Sequence, residues 1–165
     1  MTDDGDQARL KRLRPWFDKR GLDHSDWDER DFLYGYGNLG AALLLAELFV
    51  PQFIELEGSV FLARFGVQPP GGLAEVREAL ARARSRSPEG FKEYVDSHNW
   101  IEVPYLFSDL SHHDGDYEAL AALIVEAWRG RLLDLFPSRR FSVRVIDPDE
   151  TGSVVGVGFE EISMH

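Results

Sequence analysis

"QFIELEGSVFLARFG", residues 52–66, sets Glu57-Gly58 between two runs rich in β-branched and aromatic residues. An acid-glycine pair at that place is a hairpin signal, because a tight two-residue turn needs residues that accept positive φ. The stretch upstream, "NLGAALLLAELFV" (38–50), is apolar on nearly every side, with Asn38 as its N-cap and Pro51 at its end. A helix of that kind is expected in the middle of a domain.

Downstream of the hairpin, "VQPPGG" (67–72) reads as loop. "GLAEVREALARARSRS" (72–87) reads as a helix with Leu73, Val76 and Leu80 on one face and arginines on the other. Ser87-Pro88-Glu89 combines a hydroxyl N-cap, proline at the first helical position and an acid in the first turn, and predicts a helix to about Ser97 that buries Phe91, Tyr94 and Val95. "WIEVPYLF" (100–107) is a short strand that Pro104 confines to an edge or a bulge. "YEALAALIVEAWRGRLLDLF" (117–136) is the longest helix, ended by Pro137, and "RFSVRVIDPDETGSVVGVGFEEI" (140–162) is a closing hairpin turned by Pro148 and Gly152. Two further short helices are expected near the start, Gln7 to Leu13 and Asp26 to Tyr34, with residues 1–6 frayed.

These mixed blocks lack regular βαβ alternation, so the expected class is α+β: a single compact domain over 1–165, with central apolar helices packed on a small antiparallel sheet and a C-terminal β-hairpin. At 165 residues the chain is long enough for one real core and too short for two ordinary domains with a linker. No window approaches the roughly 18 apolar residues that span a bilayer, and the opening "MTDDGDQARLKRLRPW" has no apolar signal region, which points to a soluble cytoplasmic protein. The absence of cysteine removes disulfides, thiolate zinc sites and a cysteine nucleophile.

The net charge of -11 is unevenly placed. From Glu93 to Trp128 there are eight acids and no Lys or Arg, and from Gly21 to Leu62 eight acids stand against Arg30 alone. Such a surface repels nucleic-acid phosphate and anionic lipid and speeds encounter with a basic partner; it also serves plain solubility.

Several stretches resemble chemical motifs. "GYGNLG" (35–40) fits G-x-G-x-x-G by letter, but the charged "SDWDERDFLY" before it cannot be the buried strand a dinucleotide site requires, so the glycines read as helix breakers. "DPDETG" (147–152) resembles the opening of a calcium loop, yet the twelfth position is Gly158 instead of a bidentate glutamate, and a hairpin turn fits better. The densest polar stretch is "SHHDGDYE" (111–118). His112, His113, Asp114 and Asp116 are candidate metal ligands, joined by Asp109 or His98 only if the loop curls round an ion, since adjacent histidines point apart on a regular backbone. The competing readings are a loop that contacts a partner and the entrance of the following helix, with Asp114 or Asp116 as N-cap and Glu118 in the first turn.

A small, acidic, cysteine-free α+β chain whose stretch "LAELFVPQFIELEGSVFLARF" joins an apolar helix to an acidic, aromatic hairpin resembles the immunity proteins of bacterial polymorphic or contact-dependent toxin systems. The resemblance covers Leu39 to Phe65. It implies a non-enzymatic protein that neutralises a basic toxin domain through an acidic surface, without cofactor, nucleic acid or membrane. The binding residues expected on that reading are Asp109, His112, His113, Asp114, Asp116, Glu118 and Glu102, with Trp100, Tyr105 or Tyr117 as aromatic anchors. The alternatives are a small metal-dependent or carboxylate-based enzyme centred on 109–118, and a structural or regulatory homo-oligomer that pairs its terminal hairpin edge to edge.

Overall fold

The computed structural model describes Arg30 and residues 37–63, 72–106, 114–148 and 154–162. The chain divides into two compact units, Met1–Leu44 and Leu45–His165. In the first, the described residues are Arg30 and residues 37–44, so the helix expected at Gln7–Leu13 lies outside the described residues, and of the one expected at Asp26–Tyr34 only Arg30 is described, in helical conformation.

Helix α1 (Leu39–Phe49) starts on the Asn38 cap, whose side-chain oxygen accepts from the Ala41 N–H at 3.1 Å. The expectation that this helix is buried all round is corrected: Leu39, Leu43 and Leu44 are more than half exposed, and Leu48 alone is fully buried. Apolarity on every side says only that a helix could be buried on any face, and tertiary packing selects one.

The second unit is α+β. Strands β1 (Gln52–Leu56) and β2 (Ser59–Ala63) form an antiparallel hairpin in which Leu56 faces Ser59 across the two-residue turn. Glu57 and Gly58 take φ of 52° and 82°, the left-handed pair that a type I′ turn demands. Helices α2 (Gly72–Arg86) and α3 (Pro88–Asp96) follow, α3 capped by the Ser87 hydroxyl on the Gly90 N–H at 2.9 Å. Strand β3 (Trp100–Glu102) ends in a 3-10 turn at Pro104–Leu106. Helix α4 (Asp114–Leu135) leads to β4 (Phe141–Ile146) and β5 (Gly156–Glu161), which pair antiparallel as the expected terminal hairpin. The second sheet has the order β3-β5-β4, so β5 is its central strand.

The β1–β2 hairpin separates two apolar clusters. Phe53, Val60 and Leu62 point into the larger one, with Ile124, Trp128 and Leu132 of α4 and Val143, Val157 and Phe159 of the second sheet. Leu56 and Phe61 point the other way, onto Val76 and Leu80 of α2, with Phe91, Tyr94 and Val95 of α3 half-buried beside them. Period-two alternation along both strands sends consecutive side chains to different cores. Phe53, Trp128 and Phe159 meet edge to face in a triangle, with centroid separations of 5.3 to 6.3 Å, so one aromatic comes from each of hairpin, helix and sheet. The Trp128 indole N–H also donates to the Leu48 carbonyl at 2.8 Å, satisfying a group that the end of α1 would otherwise leave open.

Candidate functional site

Strand alternation decides which polar residues of the second sheet reach solvent. Ile101, Val157, Phe159 and Val143 face α4, so Trp100, Glu102, Gly156, Gly158, Glu160, Ser142, Arg144 and Ile146 form the opposite face. A trough of about 290 Å³ lies on that face, floored by Gly158, walled by Trp100 and Ile146, and rimmed by Asp96, Ser142, Arg144 and Glu160. Its floor is tight: a Cβ on Gly158 would stand 2.9 Å from Ile146 Cδ1 and 3.1 Å from Trp100 Cβ, so the Ile146 side chain would have to shift to admit it. The alternating glycines of "VVGVGF" are the sequence signal for this close approach.

Two residues of the trough rim, Asp96 and Glu160, belong to an ion-pair network. Lys92 on α3 reaches Asp96 at 2.5 Å and Glu160 on β5 at 2.8 Å. Hydrogen bonds to Asp96 and then Glu160 raise the Lys92 pKa above the usual lysine value, and the bond from Lys92 holds the Glu160 carboxyl below the usual glutamate value. Close by, partial burial with Glu75 at a distance raises the Tyr94 hydroxyl. Arg139 gathers a second network: its guanidinium forks onto Glu161 at 2.6 and 2.7 Å, donates to the Gly58 carbonyl, and pairs with Glu55 at 3.2 Å. Its pKa is raised, chiefly by the Glu161 hydrogen bonds.

The candidate residues fall into separate places. Trp100 and Glu102 lie side by side on the outer face of the sheet, both half-buried, and Tyr105 is exposed in the turn that follows. Asp116 and Glu118 lie in the first turns of α4, Asp116 half-buried and Glu118 exposed. Because α4 covers the inner face of the sheet, Glu118 and the exposed Glu126 point away from the side that carries Trp100 and Glu102. Tyr117, an anchor candidate, is instead packed in the larger core. Asp109, His112 and His113 lie outside the described residues, and of Asp114 only the backbone position at the start of α4 is described. Among the described residues no group of three or more His, Asp or Glu is placed to hold a metal ion. No described helix is long and apolar enough to cross a membrane.

The residue that sequence reading missed is Asn99. It is buried, and its carboxamide spans the outer edge of β2, donating to the Val60 carbonyl at 2.8 Å and accepting from the Leu62 N–H at 3.0 Å. Its own carbonyl accepts from the Phe159 N–H at 3.0 Å, so one residue stitches the hairpin to the second sheet. The basic face expected on α2 is used within the molecule: Arg84 donates to the Glu57 carbonyl and lies over the Phe91 ring, and Arg82 pairs with Glu78.

No protein-family model matches the chain. Comparison with curated proteins and with solved structures likewise finds no significant match.

Proposed function

We propose that this chain is a non-enzymatic binding protein that neutralises a basic protein partner, in the manner of the immunity proteins it resembles. The observation that carries the reading is the fate of the acids. Four of the described bases pair with particular carboxylates: Arg82 with Glu78, Lys92 with Asp96 and Glu160, Arg129 with Glu126, and Arg139 with Glu55 and Glu161. Glu93, Glu102 and Glu118 receive no such base among the described residues, although each lies in the base-free span from 93 to 128. Folding therefore leaves a surplus of negative potential to act on an approaching cationic surface. Trp100 and the exposed Tyr105, next to Glu102, supply aromatic area of the kind that dominates interface energetics.

Co-expression tests the reading. Each coding sequence beside this one is expressed in a host with and without this chain, and an arrested host is to be rescued by it through a complex that weakens as salt is raised. The triple variant Glu93→Lys, Glu102→Lys, Glu118→Lys is expected to lose the rescue while keeping the wild-type melting temperature. A salt-indifferent complex, or rescue by the triple variant, overturns the proposal.

A further inference from the structure

Strand alternation turns Ser59 away from the larger core, to the side of Phe61 and α3, where it lines a second cleft. The cleft holds about 520 Å³ and is lined by α3, by residues 138–140 and by the strand end at Glu161 and Ile162. Ser59 is the one buried residue of that lining, 9% exposed, and its hydroxyl makes no hydrogen bond among the described residues. A hydroxyl enclosed to that degree ordinarily has a partner.

The loop that carries Arg140 is held in place by its neighbours. Arg139 commits its guanidinium to Glu161, Glu55 and the Gly58 carbonyl, and the Arg140 carbonyl accepts from the Ile162 N–H at 2.9 Å. The Arg140 side chain itself is exposed and, among the described residues, has no ion pair or hydrogen bond. The cleft therefore offers an unused guanidinium and an unused buried hydroxyl. Its apolar wall is made by Phe91 and Val95, both half-buried, and by Ile162, which is 49% exposed.

Charge selects the head group. Lys92, Arg139 and Arg140 in the lining balance Glu89, Asp96 and Glu161. Lys92 and Arg139 are already paired, and Glu89 sits in the first turn of α3, where the helix end offsets it. One free guanidinium then matches one negative charge, and the net charge of -11 repels a multiply charged anion. The guanidinium fork fits a planar carboxylate, the serine hydroxyl can donate to the same group, and the wall suits a hydrocarbon body.

We propose that this cleft binds an amphipathic monocarboxylate, its aliphatic chain along Phe91, Val95 and Ile162 and its carboxylate on Arg140 and Ser59. The site involves none of Glu93, Glu102 and Glu118, so it stands or falls independently of the protein partner proposed above.

Octanoate is the probe, titrated below its micelle concentration into the full chain by isothermal calorimetry, with amide chemical shifts to locate it. Saturable one-to-one binding is expected to move the amides of Ser59, Phe91 and Ile162. Octanoate should bind at least about tenfold tighter than butanoate, which lacks four methylenes, and than octylammonium, which carries the opposite charge. Arg140→Gln is expected to weaken octanoate about tenfold and Ser59→Ala about fivefold, each at the wild-type melting temperature, since neither side chain has a partner among the described residues. Arg77→Gln removes the same charge from an exposed position of α2 outside the cleft and keeps the wild-type affinity. Binding that does not saturate, equal affinity for butanoate or octylammonium, wild-type affinity in Arg140→Gln or Ser59→Ala, or an equal loss in Arg77→Gln overturns the proposal. So do shifts confined to the trough around Trp100. If Ser59→Ala does not fold, the comparison of Arg140→Gln with Arg77→Gln decides.

Discussion

The buried carboxamide of Asn99 donates to the carbonyl of Val60 at 2.8 Å, standing where the next strand of a sheet would stand. With its oxygen taking the Leu62 N–H, the side chain imitates one residue of paired backbone. Replacing it by leucine strands a buried carbonyl and a buried N–H together, and the expected loss is about 3 kcal/mol of unfolding free energy by urea titration. A loss under about 1 kcal/mol would show that water replaces the amide.

Asn99→Asp separates the hydrogen bonds from the packing. A protonated aspartic acid can donate to Val60 and accept from Leu62, whereas the carboxylate can only accept. Burial raises the pKa of that carboxyl in the folded state, so the folded chain binds the proton more tightly and the variant becomes less stable as pH rises. The difference from wild type is expected to narrow when the titration is repeated at mildly acid pH. A difference constant with pH would contradict this role.

Trp128→Phe removes the donor to the Leu48 carbonyl and part of the aromatic triangle with Phe53 and Phe159. Lost packing and an unsatisfied acceptor together are expected to cost about 2–4 kcal/mol. Thermal melting at neutral pH measures it, and an unchanged midpoint would rule out the bond to Leu48 as a tie between α1 and α4.

The Lys92–Glu160 pair predicts an acid-side dependence. Glu160 has a folded pKa below its ordinary value, so its contribution is fully present above the ordinary glutamate range of about 4.3 and is lost as pH falls through the depressed folded value. Glu160→Gln is therefore expected to be less stable than wild type at neutral pH and equal to it in strong acid. Because the Glu160 side chain is 40% exposed, added salt should shrink the neutral-pH difference. A gap that persists in acid would assign the effect to packing.

At the trough, Gly158→Val forces a branched side chain into space held by Ile146 and Trp100. Overpacking of this kind is expected to cost about 1–3 kcal/mol and to alter the near-ultraviolet circular dichroism through the displaced indole. Pairing it with Ile146→Ala should recover part of the loss, because the Cδ1 atom nearest the new Cβ is gone. No recovery in the double variant would place the strain against the Trp100 Cβ or the Asn99 carbonyl.

How far the fold is legible depends on whether the deciding contacts are local. The Glu57-Gly58 turn, the Asn38 and Ser87 caps and the Pro104 limit on β3 all act within a few residues, and each can be read from the letters alone. The exposed side of α1 is not legible, since apolar residues at nearly every position carry no direction. Asn99 is invisible for another reason: its partners lie 37 and 39 residues away, and an asparagine after a helix looks like an ordinary loop residue. The acid-rich span from Glu93 to Glu126 is plain in the sequence, but its division between two sides of a sheet depends on β3 pairing with β5, a long-range contact that no local pattern encodes. The opening of α4 at Asp114 accords with a helix entrance in "SHHDGDYE", while its histidines lie outside the described residues.

The order β3-β5-β4 also sets a sequence of assembly. Neither outer strand of this sheet pairs with the other, so as the chain is synthesised β3 and β4 both wait for residues 156–161 before either gains a ladder there. Until then Ile101 and Val143 lack the strand that comes to lie between them, whereas the early β1–β2 hairpin already holds its local hydrogen bonds. The nascent chain therefore passes through a stage in which one sheet is formed and the other is unzipped, and this late closure is where competing association with other unfolded chains would enter.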